Sequence, residues 1–290
     1  MPTKIEKDAI SGTDTTGHEW DGIKELNTPL PRWWVLVFYA TIVWALIWSI
    51  LYPSWPGLSG YFHGVLGYST RAGIEQKMAD VAAQRAPMLD KIKAAGFADI
   101  EKDPNLLNFA IGGGKAVFAD NCAPCHGPGG GGSKGFPNLA GDDWLWGGSI
   151  DQIYQTISYG IRSGNPKAHE STMVAFGKDG VLKRGEIVAV ARYVRSLSGL
   201  PVPSGTDLGA GKKIFDDNCA SCHGDDGKGN PEIGAPNLAD KIWLYGPDET
   251  TIVDVITNGR NGVMPAWVDR LDPATIKALA VYVHSLGGGQ

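Results

Sequence analysis

The chain has 290 residues, 31 Asp+Glu against 26 Lys+Arg for a formal net charge of −5, and 40 glycines and 18 prolines. The mildly acidic balance excludes the basic footprint of a nucleic-acid binder or a polybasic membrane-surface protein, and points to other proteins as partners. A chain of this length divides into more than one domain, and domains under about 100 residues bury so little apolar surface that they need a staple.

Residues 1–31 are polar, and in the dense string from Trp20 to Pro31 the residues Asn27, Pro29 and Pro31 argue against a helix. From Trp33 to Tyr52 no residue is charged. At about 1.5 Å per residue that stretch is roughly 30 Å long, one bilayer core. A cleaved signal peptide has a short basic start, a shorter apolar core and a small-residue cleavage site. Here the preceding region is long and acidic, and Tyr52-Pro53-Ser54-Trp55-Pro56 makes a poor cleavage site. Residues 32–55 are therefore predicted to form an uncleaved transmembrane anchor in contact with membrane lipid.

Lys4, Lys7, Lys24 and Arg32 precede the span, and only Arg71 lies between Pro53 and Glu75, so the positive-inside rule places residues 1–31 in the cytoplasm. Trp33 and Trp34 at one end and Tyr52 and Trp55 at the other fit an interfacial aromatic belt. Trp44 and Trp48, one turn apart near mid-span, face either a partner helix or lipid. The span has no ionisable side chain and so carries no proton path of its own.

Residues 56–108 are predicted to be a helical spacer. Ile74, Met78, Val81 and Ala82 recur at helical spacing, Pro87 interrupts, Leu89, Ile92 and Phe97 resume a weaker pattern, and Asp103-Pro104 marks a break.

All four cysteines then fall in two copies of one motif, Cys122-Ala123-Pro124-Cys125-His126 and Cys219-Ala220-Ser221-Cys222-His223. Cys-x-x-Cys-His is a c-type haem attachment site, with two thioethers to the haem vinyl groups and the histidine on iron. A redox dithiol would need a βαβ context that is not visible. A four-cysteine zinc site would leave both histidines unexplained.

The flanks of the two motifs repeat as well. Gly114-Lys115-Ala116-Val117-Phe118 matches Gly211-Lys212-Lys213-Ile214-Phe215, and Pro137-Asn138-Leu139 matches Pro236-Asn237-Leu238. Trp144-Leu145-Trp146-Gly147 matches Trp243-Leu244-Tyr245-Gly246, and Tyr193-Val194-Arg195-Ser196-Leu197 matches Tyr282-Val283-His284-Ser285-Leu286. The result is a tandem pair, residues 109–198 and 207–290, joined by a proline-stiffened linker at 199–206. Each copy opens with a short helix and ends with an amphipathic one, whose stripes are Ile187, Val190, Ala191, Val194 and Ile276, Leu279, Ala280, Val283. Asp272-Pro273 is a good start for the last helix. These features resemble the small helical fold of class I cytochromes c. The expected fold is mainly α: one N-terminal transmembrane helix followed by two tandem class I cytochrome c-like haem domains.

A low-spin electron-transfer haem takes a second axial ligand, often methionine. Met264, in Asn261-Gly262-Val263-Met264-Pro265, is the candidate in the second copy, against the alternative of a core methionine. Met173 is the candidate in the first, with His169 as rival. Aligning Ala175-Phe176 with Ala266-Trp267 sets Met173 opposite Met264, and pairs His126 with Met173 and His223 with Met264. Arg162 and Arg260 are either partners of haem propionates or exposed. His18, His63 and His284 are expected in solvent.

With the string Glu19-Trp20-Asp21-Gly22-Ile23-Lys24-Glu25-Leu26-Asn27 through Pro29-Leu30-Pro31-Arg32-Trp33-Trp34 joined to one span and two haem motifs, the chain resembles the dihaem cytochrome c subunit of cbb3-type cytochrome c oxidases. The resemblance implies two covalently bound haem c groups, attached outside the cytoplasm at the bacterial inner membrane, so that both haem domains are periplasmic. It also implies electrons taken from a periplasmic cytochrome c or a bc1 complex. These are delivered, through a monohaem cytochrome c subunit, to the catalytic subunit that reduces oxygen. The alternatives are a free-standing membrane-anchored shuttle and a haem-based sensor or peroxidase. Oxygen chemistry requires a high-spin haem and copper, for which the chain has no ligands.

Overall fold

In the computed structural model residues 4–287 are described, so the first three positions of the 1–31 segment and the last three of 207–290 lie outside the described residues. The chain separates into two compact units, residues 1–82 and 83–290.

In the first unit, Thr15–Trp20 (β1) and Ile23–Leu26 (β2) form an antiparallel hairpin. Its turn is Asp21-Gly22, with φ of 49° and 84°. A two-residue hairpin turn of the I′ type needs positive φ at both positions, which Asp-Gly supplies at low cost. Helix α1, Arg32–Leu51, follows with no buried residue. It is the one helix among the described residues long and apolar enough to cross a membrane. Trp44 stacks on Trp48 and Trp48 on Tyr52, so these rings form a column along one face. The last carbonyls of α1 are satisfied by the returning chain, with Val65 N donating to Ile50 O and Leu66 N to Leu51 O. Before that return, Pro56–Gly57 (β3) and Gly60–Tyr61 (β4) make a minimal hairpin.

Helix α2, Thr70–Ala94, contains the boundary between the units. Pro87, expected to interrupt it, lies inside a continuous helix. One proline removes one donor, and strong helix formers on both sides carry the helix past it. The second unit continues with α3, Phe97–Lys102, and α4, Pro104–Asn121; Asp103 caps α4 by accepting from Asn105 N and Leu106 N, so the expected break is a helix start. Then come α5, Ala123–His126; α6, Ile150–Tyr159; and α7, Arg184–Leu197. After the extended linker follow α8, Leu208–Asn218; α9, Ala220–His223; α10, Glu249–Asn258; and α11, Pro273–His284, with Asp272 as its cap.

The expected stripes are buried, but each packs against helices of the other copy. Ile276, Leu279, Ala280 and Val283 of α11 share a core with Phe118 of α4 and with Ile153 and Ile157 of α6. Ile187, Val190, Ala191 and Val194 of α7 share one with Phe215 of α8 and with Ile252 and Ile256 of α10. The helices cross at glycine. A Cβ on Gly114 would lie 2.3 Å from Ala278 O, and one on Gly211 2.5 Å from Ala189 O, so at both crossings backbone approaches backbone.

Arg192 of α7 adds a forked pair to Glu249 of α10, at 3.1 and 3.2 Å. One lobe is therefore α4, α5, α6 and α11, and the other is the unbroken run α7 to α10. The opposite face of α11 carries Ala274, Ala278 and Val281 against Ile92, Ile100, Leu106 and Ala110, which seats the spacer. Lys277 Nζ completes that contact by donating to the carbonyls of Lys93 and Ala95 at the end of α2.

Phe118 and Phe215 sit at equivalent centres of the two lobes, 1% and 0% exposed. Phe118→Ala and Phe215→Ala are each expected to cost about 3–5 kcal/mol, read as a shift in urea midpoint at constant slope.

Candidate functional site

Each attachment motif starts where a helix ends. Cys122 N donates to Phe118 O and Cys219 N to Phe215 O, so α4 and α8 close on the first cysteine of each motif; a short turn, α5 or α9, then carries the second cysteine and the histidine. Gly127 and Gly224, both at φ 78°, turn the chain back around the histidine. Gly132 N then donates to His126 O, and Gly229 N to His223 O, each at 2.7 Å.

Cys125 and Cys222 are exposed, while Cys122 and Cys219 are half-buried. Burial, aided by the neighbouring cysteine, pushes the Cys122 and Cys219 thiols up to about 11. That is opposite to the depressed pKa of an activated redox dithiol.

His126 Nδ1 lies 3.1 Å from Pro137 O, and His223 Nδ1 3.0 Å from Pro236 O. Donation to these carbonyls fixes the tautomer and leaves Nε2 with its lone pair, the form an iron ligand requires. Burial lowers both imidazoles below the ordinary range, against the raising effect of the proline carbonyl. Two adjacent thiols, with a neutral imidazole oriented through its second nitrogen, are the donor set that covalent haem needs, and the motif provides it twice.

The methionines are presented by backbone pairing across the copies. Ile161 and Met264 exchange N–H···O bonds, both 3.0 Å, just after α6. Met173 and Arg260 exchange theirs at 3.2 and 3.3 Å, just after α10. Met264 accordingly packs in the core that holds Phe118, Cys122 and Ala123, and Met173 in the core that holds Phe215, Cys219 and Ala220. The alignment paired His126 with Met173; in the fold Met264 shares a core with Cys122 of the first motif, and Met173 one with Cys219 of the second. The repeat fixes equivalent positions, but the exchange of α7 and α11 delivers each to the other lobe.

His169 is occupied elsewhere, with Nε2 3.0 Å from Thr156 Oγ1 and its ring stacked on Trp146 at 4.3 Å. Arg260 is paired with Asp254 at 2.6 Å and lies over the Tyr245 ring. His284, expected in solvent, is three-quarters covered, with Nδ1 3.8 Å from Glu101; α3 lies over that end of α11, which the repeat pattern could not indicate. His18 and His63 are exposed. Sequence reasoning missed Gly160 and Gly259, which press directly on the methionine carbonyls; their signal was a glycine closing each equivalent helix.

The chain matches three family models: "N-terminal domain of cytochrome oxidase-cbb3, FixP" over residues 12–59, "Cytochrome c" over 112–198, and "Cytochrome C oxidase, cbb3-type, subunit III" over 206–283. It is 62% identical over 290 residues to the cbb3-type cytochrome c oxidase subunit FixP of Bradyrhizobium sp. (strain ORS 278), covering all of both chains. It is 63% identical to that of Bradyrhizobium diazoefficiens, again over the full length of both. The chain belongs to the FixP/CcoP family of cbb3-type cytochrome c oxidase subunits. A more distant member, the CcoP of Cereibacter sphaeroides, is 46% identical over the whole of both chains.

As a FixP/CcoP-type subunit the chain is an electron-transfer cytochrome c of that oxidase, with covalently bound haem c and other oxidase subunits as partners. Helix α1 fits a membrane anchor. The first model's match covers the β1–β2 hairpin and α1, so a stretch with no redox chemistry is matched by a model specific to this oxidase, as is the region of the second haem motif.

Proposed function

We propose that the chain holds two haem c groups with crossed axial ligation. One is attached to Cys122 and Cys125 and ligated by His126 and Met264. The other is attached to Cys219 and Cys222 and ligated by His223 and Met173. The observation that carries this reading is the pairing of Met264 with Ile161 and of Met173 with Arg260, which seats each methionine in the lobe of the other copy's cysteines.

Bound haem supplies a one-electron couple; the protein's part is to saturate both axial positions, bury the edge and set the potential. The subunit takes electrons from a periplasmic cytochrome c or a bc1 complex and passes them, by way of a monohaem cytochrome c subunit, to the oxygen-reducing subunit. Residues 1–31 are cytoplasmic, α1 spans the inner membrane, and both lobes are periplasmic. The basic residues ahead of α1, and the scarcity of such residues just after it, support that orientation.

The test removes the second attachment site by Cys219→Ser with Cys222→Ser and measures the ferric sulfur-to-iron absorption band of the remaining haem. Recovery of one haem per chain is the control for folding. Adding Met264→Ala is expected to abolish the band, and adding Met173→Ala to leave it. The reverse pattern sinks the crossed assignment.

A further inference from the structure

The geometry points to Arg162 as a positioning residue that locks both methionine loops together; this rests on the reading that Met173 and Met264 are axial ligands. Arg162 follows Gly160 and Ile161 at the end of α6, and Ile161 is the backbone partner of Met264. Its Nε donates to Gly262 O at 2.7 Å, two residues before Met264, and another guanidinium N–H donates to Ser171 O, two residues before Met173. Its own N–H donates to His169 O, at the approach to the Met173 loop.

One planar fork thus bridges two loops from different copies, a geometry that a lysine point charge cannot reproduce. Arg162 also sits at φ 49°, a left-handed conformation that costs a non-glycine residue energy and persists where surrounding contacts impose it. Nothing equivalent exists at Arg260, whose side chain pairs with Asp254 and with the adjacent Gly259 carbonyl. The two axial methionines are therefore held by one side chain, and displacement of one loop is communicated to the other.

The experiment uses the full two-haem chain. Arg162→Asn keeps a residue that tolerates the left-handed backbone and removes the fork. Each loop loses a charge-assisted hydrogen bond, so the ferric bands of both haems are expected to weaken together and imidazole affinity at both irons to rise roughly tenfold. Arg162→Lys is expected to restore one haem at most, and it serves as the readout if the asparagine variant does not retain two haems per chain. Loss at a single haem in Arg162→Asn overturns the coupling. So does a shift in potential with both bands intact, which makes Arg162 a simple charge partner. Met173→Ala and Met264→Ala, run in parallel, must each remove one haem's share of the band. If neither does, the ligand reading fails, and that failure is distinct from an unchanged Arg162→Asn spectrum beside altered methionine variants.

Discussion

Residues 170–260, expressed alone with haem attachment in place, are expected to fold around a single methionine-ligated haem, although they begin in the middle of one sequence repeat and end in the middle of the next. The segment contains α7, α8, α9 and α10, the attachment motif Cys219 to His223, and Met173 with its backbone partner Arg260. Its core of Ile187, Val190, Ala191, Val194, Phe215, Ile252 and Ile256 is complete. It is a cytochrome c lobe in which the closing helix and methionine loop come first in sequence.

Trimming it to 207–260 removes α7 and with it the burial of Ile187, Val190 and Val194. At about 1.5–3 kcal/mol for each such side chain, that loss is roughly 5–9 kcal/mol, comparable to the whole stability of a small domain. The expected contrast is a cooperative urea transition and a ferric sulfur-to-iron band for 170–260, against neither for 207–260. The second repeat, 207–290, has one way to recover a lobe, which is to fold α11 onto α8 in place of α7. That leaves Ala274, Ala278 and Val281 without the spacer that covers them in the full chain, and self-association is the expected outcome. Failure of 170–260 to bind haem, or a band in it that survives Met173→Ala, would falsify the exchanged arrangement.

The sequence states element positions well here and element partners poorly, for a physical reason. The stripes on α7 and α11, the Asp272-Pro273 start and the cysteine turns follow from local periodicity and backbone chemistry, and all of them are where that chemistry puts them. Partner choice between α7 and α11 is a different problem. Tyr193 lies beside Gly211 as Tyr282 lies beside Gly114, so both closing helices offer the same knob to the same glycine. A duplicated chain therefore offers the same contact twice, and what distinguishes the two closing helices lies elsewhere on them: α11 carries Ala274, Ala278 and Val281 to the spacer, and α7 carries Arg192 to Glu249 of α10. In the sequence Arg162 reads as a propionate partner or an exposed residue for the same reason, since its acceptors, Ser171 O and Gly262 O, lie about ninety positions apart in the sequence and meet only in the fold. The hairpin was recoverable, because Asp21-Gly22 between two short runs is a turn signal, but Asn27, Pro29 and Pro31 drew the reading toward what the segment is not.

Gly160→Ala is expected to detach Met264 from the first lobe. Gly160 closes α6 at φ 74° and ψ −171°, a region essentially reserved for glycine, where a side chain costs about 1–3 kcal/mol before any contact is considered. The contacts are severe, because a Cβ there would lie 2.3 Å from Met264 O, 2.8 Å from Pro265 C and 2.9 Å from Ala266 N. All three are backbone atoms and cannot swing aside, so the methionine loop itself must move. The hydrogen bonds between Ile161 and Met264 are the first to break, at about 1 kcal/mol each.

The mirror substitution Gly259→Ala meets Met173 O at 2.4 Å with φ 66°, and acts on the other lobe. The two variants are therefore expected to lose the ferric band of different haems, distinguishable by their potentials, with a stability loss of about 3–5 kcal/mol each. Gly112→Ala is the control. Gly112 lies exposed in α4 with open space around it, and there alanine is expected to be neutral or to stabilise by up to about 1 kcal/mol. If Gly160→Ala instead alters the haem on Cys219 and Cys222, then Met264 serves that haem, and the methionine stays with its own copy of the sequence.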